Sequence, residues 1–274
     1  MNAPRGAALL QEATLTPVDA GSFALWWLGQ HGFLIKAGGQ LICLDAYLSP
    51  NPRRLVPPAF SPQEATGIDL VIGTHDHCDH IDRGAWPLLA QASPGARFAV
   101  PGMLKEKISR ETDVPLHRFV ELDEGVRVDL GGLQITPIAS AHEFLDQDPR
   151  TGRFPHLGVV LEAGGCAIYH SGDCCLYAGL EAKLKKWDFS AVLLPINGRS
   201  GGQLRRGIIG NMTYQEAVDL AGSLGAKIAV PTHFDMFEGN TGDPEAFLDY
   251  LAVKYPTVMG KRPVHGEWMR IPPP

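Results

Sequence analysis

Thr74-His75-Asp76-His77-Cys78-Asp79-His80 follows directly on the apolar run Asp69-Leu70-Val71-Ile72-Gly73. Three histidines and two aspartates fall within six residues. Packing does not explain a buried strand that ends in a loop so rich in imidazole and carboxylate. Neutral imidazole and ionised carboxylate are the ligands that borderline divalent metals take. In His75-x-His77, two rings two positions apart in an extended loop can turn to one side and grip one ion. Asp79 and His80 are adjacent, so they point elsewhere and can serve a second ion. Asp76 is read as an exposed or supporting carboxylate, and Cys78 as a buried thiol, the default for a free cysteine.

Two ions need more ligands than this loop supplies, and later strand ends carry them. His142 follows the apolar stretch 133–139. Asp173 closes His170-Ser171-Gly172-Asp173 after the stretch 166–169, and His233 closes Pro231-Thr232-His233 after 227–230. The simplest assignment gives His75, His77 and His142 to one ion and Asp79, His80 and His233 to the other. Asp173 bridges them, because a carboxylate has two oxygens. Asp45 ends the stretch Leu41-Ile42-Cys43-Leu44 and is placed behind a ligand histidine as its hydrogen-bond acceptor, or as a plain turn aspartate.

Around these residues the chain alternates strands and helices. Residues 24–28, 32–36 and 41–44 read as consecutive antiparallel strands, with a turn at Gly38-Gly39. Trp26 and Trp27 alternate across the first of them, so one faces the core and the other a helix or neighbour. The pattern Gly32 to Gly39 returns at Gly158 to Gly165, and each hairpin ends near a carboxylate, Asp45 or Asp173. Two similar halves, each a sheet, account for this echo; convergence on Gly-Gly hairpin chemistry is the alternative. Helices are expected over 82–91, 102–110 and 177–186. A capping box, Thr213 to Glu216, opens another, and Asp243-Pro244 caps the last. Residues 263–271 form a closing strand. Hairpin-rich sheets interleaved with helices predict two mixed sheets with helices outside. Residues 1–22 read as an N-terminal arm or short helix, and 23–274 as a single domain.

Composition narrows the function. A net charge of −6 and the lack of any five-residue run of like charge argue against a nucleic-acid surface. No stretch approaches the length of a membrane span. Five cysteines, at 43, 78, 166, 174 and 175, fit no disulfide framework. The expectation is a cytoplasmic protein with reduced thiols, a homo-oligomer whose partner is a small anionic molecule rather than nucleic acid or membrane.

The set His75-x-His77-x-Asp79-His80, His142, Asp173 and His233 resembles the metallo-β-lactamase superfamily in order and in strand-end context. The resemblance spans most of the chain and implies an αββα sandwich, an α/β fold with the site at one edge of the two sheets. The flanks Trp26-Trp27-Leu28-Gly29, Asp45-Ala46-Tyr47-Leu48-Ser49, Pro195-Ile196-Asn197-Gly198-Arg199, Ile209-Gly210-Asn211-Met212 and His233-Phe234-Asp235-Met236-Phe237 resemble the L-ascorbate-6-phosphate lactonase branch. Ala46 stands where that branch usually has proline, and Gln30-His31 departs from its pattern at the first turn.

The chemistry expected is hydrolysis. Two ions about 3.5–4 Å apart make a shared water into hydroxide at neutral pH, which attacks the carbonyl of a phosphorylated sugar-acid lactone such as L-ascorbate 6-phosphate. Asp79 orients that hydroxide and relays its proton. The lactonase resemblance implies manganese, and the wider superfamily zinc. Arg199, Arg205 and Arg206 in one glycine-rich loop, with Asn197, are the candidate phosphate site, since planar guanidinium suits phosphate. A solvated basic loop or an oligomer contact is the competing reading. Asp235 is a further candidate at the pocket. His31 reads as a hydrogen-bonded turn residue or a pocket residue, and His117, His156 and His265 as structural. The alternative activities are phosphodiester hydrolysis and opening of another lactone; the non-enzymatic alternative is a metal or ligand sensor that kept the site.

Overall fold

Strand Phe23–Gly29 shows how the layers are made, because both of its faces are buried. Phe23, Leu25 and Trp27 face the core between the two sheets, while Ala24, Trp26 and Leu28 face the outer helices. This is the period-two alternation of a strand turned to two apolar layers. The Trp27 ring lies 4.6 Å from that of Phe234 in the central layer. The Trp26 indole donates to Glu12 of helix Ala7–Leu15 on the outside.

The structure, a computed structural model, describes residues 5–273. Residues 1–4 of the expected arm lie outside the described residues. The helix Ala7–Leu15 buries Leu9, Leu10 and Ala13 in the outer layer of the first sheet. Among the described residues no helix is long and apolar enough to cross a membrane.

Each sheet has seven strands. The first runs, edge to edge, Trp268–Ile271, Phe23–Gly29, Gly32–Ala37, Gln40–Leu44, Leu70–Ile72, Arg97–Pro101 and Phe119–Leu122. The second runs Met259–Gly260, Ile228–Thr232, Phe189–Pro195, Cys166–His170, Leu157–Ala163, Gln134–Ala139 and Val128–Asp129. Both are mixed, and they are built alike. In each, an antiparallel hairpin, Gly32–Ala37 with Gln40–Leu44 or Leu157–Ala163 with Cys166–His170, is followed by a parallel crossover to the next strand. The sequence echo falls on these two equivalent hairpins. Parallel strands end at a common edge, and the loops beyond their carboxyl ends are where such sheets hold ligands.

Several helices begin later than the periodicity predicts. Asp82 first makes a turn: its carboxylate accepts from the backbone of Leu48, Ser49, Gly84 and Ala85. The helix then runs Trp86–Ala92. Gly179, at φ 96°, holds back the next one to Leu180–Leu184. Residues 102–104 form a 3-10 turn before helix Lys105–Thr112, and only Trp268–Ile271 of the expected closing strand pairs. The two caps are as expected, Thr213 with Glu216 on helix Tyr214–Ser223 and Asp243 on helix Pro244–Lys254.

Candidate metal centre

The loop 74–80 starts where Leu70–Ile72 ends, and Asp45 anchors it from the neighbouring strand end. The Asp45 carboxylate accepts from Thr74 N at 2.8 Å, Thr74 Oγ1 at 2.6 Å and His80 Nδ1 at 2.7 Å. On the outer side of the loop, Asp76 pairs with Arg83 and with Lys107, so it serves as a strut and not a ligand.

The structure brings all seven expected ligands together. His75, His77, His142 and Asp173 each offer one ligand atom to a common place, and these atoms lie within 4.8 Å of one another. Asp79, His80 and His233 form a second such group. In the first, His77 Nδ1 lies 3.0 Å from His75 Nε2 and 3.2 Å from His142 Nε2. Nitrogens bound at ~2.0–2.1 Å to one tetrahedral ion stand about 3.3 Å apart, so this spacing fits shared ligation. Asp173 reaches both groups: Oδ1 is 3.3 Å from His80 Nε2, and Oδ2 is 3.3 Å from His233 Nε2 and 3.7 Å from His142 Nε2.

His80 Nε2 and Asp173 Oδ1 are buried and have no hydrogen-bond partner among the described residues. Burying such atoms unsatisfied costs about 1–3 kcal/mol each; a cation between them would satisfy both. The electrostatics agree. Burial opposes charge on His80, yet Asp173 and Asp45 outweigh it and hold its pKa well above the usual imidazole value. Burial also opposes ionisation of Asp173, but His233 and His80 keep its carboxyl well below the usual range. The centre therefore holds a carboxylate firmly ionised and favours positive charge beside it. Burial pushes His75 well below its ordinary value, and His142 down to about 4, keeping both rings neutral as ligands must be.

His77, Asp79, His142, Asp173 and His233 line a cleft of about 730 Å³, walled by three loops bearing Asn51 and Arg53, Ile208 and Ile209, and Phe237 and Asn240. The expected phosphate residues are placed elsewhere. Arg199 donates to Glu216 and to the Asn211 carbonyl, and faces a neighbouring hollow of about 270 Å³. Arg206 donates to the Gly239 carbonyl, and Arg205 lines neither space. Asn197 is buried, donating to Asn240 and accepting from Asn211. Asp235 faces Arg262 at 3.8 Å. Cys78, expected to be buried, is exposed in the cleft wall, because the loop turns its ligand residues inward and leaves this one at the opening.

Sequence reasoning missed three residues. Arg53 lines the cleft, and its guanidinium makes no hydrogen bond or ion pair among the described residues. The His156 ring lies 5.4 Å from those of His75 and His142. Gln30 is fully buried beside Asp79 and His233. No local motif marks them; only the departure at Gln30-His31 pointed to the first turn.

A family model described as the β-lactamase superfamily domain matches residues 40–234, most of the chain and all seven clustered residues. The chain belongs to the metallo-β-lactamase superfamily. In class it is a metal-dependent hydrolase, as relatives that cover most of its length are named. Over 82% of its length it is 26% identical to a metal-dependent hydrolase of Sulfurisphaera tokodaii, covering 89% of that protein. It is also 26% identical to a probable L-ascorbate-6-phosphate lactonase of Escherichia coli O139:H28, over 88% of this chain and 77% of that one. A metallo hydrolase of Ignicoccus hospitalis shares the superfamily fold, with TM-score 0.71 at 21% identity, over 91% of this chain and 98% of that one.

Proposed function

We propose that the chain holds two divalent ions, one on His75, His77 and His142 and one on Asp79, His80 and His233 with Asp173 between them, and opens a sugar-acid lactone that carries an anionic group. The observation that carries this reading is Asp173, whose carboxylate meets both ligand groups in one cleft, Oδ1 beside His80 and Oδ2 beside His233 and His142. Ions in such a pair lower the pKa of a shared water and polarise a carbonyl. All-nitrogen and oxygen ligation suits manganese or zinc.

The residues of the chain divide the remaining work. Asp79 is the acid group of the centre that reaches furthest toward solvent, with 17% of its side chain exposed against 5% for Asp173. Gln30 occupies its Oδ2. Its Oδ1 is then the atom that takes a proton from the attacking water and passes it to the ring oxygen as the ester bond breaks. Asp45 keeps His80 oriented through Nδ1. The cleft suits a small polar molecule, and Arg53 is the basic side chain that lines it. The Escherichia coli relative's name supports a phosphorylated lactone as substrate.

The test is a hydrolysis panel on protein reconstituted with manganese or zinc: L-ascorbate 6-phosphate, uncharged lactones and an aryl phosphodiester. Turnover of the phosphorylated lactone, lost in Asp79→Asn with both ions retained, is the expected result. Preference for the phosphodiester would transfer the reading to phosphodiesterase chemistry. Two bound ions with no turnover of any ester, lactone or phosphodiester would favour a sensor.

A further inference from the structure

Gln30 sits at the turn between strands Phe23–Gly29 and Gly32–Ala37 with φ 54°, a conformation that residues with a Cβ disfavour by about 1–2 kcal/mol. Its carbonyl accepts from Trp27 Nε1 at 3.1 Å and from His233 N at 2.8 Å. The turn is thereby tied to the loop that carries His233. Its side chain is fully buried. Nε2 donates to Asp79 Oδ2 at 3.2 Å and lies 3.4 Å from His233 Nε2. Oε1 is buried with no hydrogen-bond partner among the described residues.

A turn that needs positive φ is served best by glycine. Instead the chain places there a long carboxamide, buries it, and leaves one of its polar atoms unsatisfied. Both features act against stability. They make sense where the amide is required by the side chains it touches, and those are two members of one ligand group.

We propose that Gln30 is a positioning residue of the second metal cluster, its carboxamide holding Asp79 in register for the ion shared with His80 and His233. This rests on the two-ion reading above. A neutral donor suits the position. By binding one carboxylate oxygen it selects which oxygen of Asp79 faces the cleft. A basic side chain there would compete with the cation, and an acidic one would repel Asp79 and Asp173. The first cluster has no contact with this amide, so the effect belongs to one ion of the two.

The experiment titrates chelator-stripped full-length protein with manganese or zinc by calorimetry, and counts bound ions by atomic emission after gel filtration. Gln30→Gly removes the amide and relieves the positive φ; Gln30→Met keeps the bulk and removes the donor. Wild type should bind two ions in two steps. In both variants one of the two steps should fall about 10–100-fold, with the other within threefold and the melting temperature of Gln30→Gly not lowered. Two unchanged steps in both variants overturn the proposal. Equal weakening of both steps with a lowered melting temperature also overturns it, since that marks a merely structural turn. A single step in wild type overturns the two-ion reading itself, and this proposal with it.

Discussion

Nδ1 of His80 stands 2.7 Å from Oδ2 of Asp45, and both side chains are completely buried. The contact orients the ring, with Nδ1 toward Asp45 and Nε2 toward Asp173. Asp45→Ala would leave His80 unheld and the Thr74 groups without an acceptor. Metal affinity should fall about 10–100-fold, with stability lower by roughly 1–3 kcal/mol from the unsatisfied donors. Metal analysis and denaturant titration check the two effects separately. Retention of full affinity would show that Asp45 is only a turn aspartate.

Arg53 and Arg199 give opposite expectations. Arg53 lines the cleft, whereas Arg199 is engaged by Glu216 and Asn211. Arg53→Ala should raise KM for a phosphorylated lactone about tenfold or more, as losing a charge-assisted hydrogen bond of ~1.5–3 kcal/mol implies, with kcat little changed. Uncharged lactones should be unaffected. Arg199→Ala should leave KM within about threefold. The reverse pattern in steady-state kinetics would return phosphate recognition to the loop at 199–206.

Gly172 lets Asp173 reach the centre. A Cβ there would lie 2.4 Å from the Leu157 carbonyl oxygen, and φ is 58°. Gly172→Ala must displace backbone at the bridging carboxylate. Loss of metal and a melting temperature lower by several degrees are expected. Calorimetry that finds both ions bound with native affinity would contradict this.

Stability should respond to pH through His265. Burial first, then Arg5, push its pKa down to about 4, from 6.5, while Nε2 bonds the Leu28 carbonyl. The folded pKa is depressed, so between these values the unfolded chain binds the extra proton. Stability is unaffected above the unfolded value and is lost as pH falls from 6.5 toward about 4. His265→Gln should flatten part of that decline in denaturant midpoints measured over this window. An identical decline in the variant would remove His265 as a cause.

The cluster of candidate ligands was legible in the sequence because imidazole and carboxylate at successive strand ends have few other uses. The paired sheets were legible for a similar reason: an unbroken apolar run such as Phe23–Gly29 leaves a strand no choice but to bury two faces. Helix starts were not, since Asp82 and Gly179 act through hydrogen bonds and backbone geometry that periodicity does not register.

Substrate-facing residues were the least legible. Three arginines in one loop looked like a phosphate site, but Arg199 and Arg206 are taken up by groups well along the chain, and Arg205 does not line the cleft. Arg199 meets Glu216, Arg206 meets Gly239, and the lone Arg53 stands where the cleft opens. The sequence by itself determined which residues could bind metal and that they would gather at one sheet edge. Only the tertiary structure decided which neighbours orient them, as Asp45 and Gln30 do, and which charges are left free for a ligand. Coordination chemistry is written in residue type and spacing, whereas neutralisation of a charge depends on contacts between residues that the sequence keeps apart.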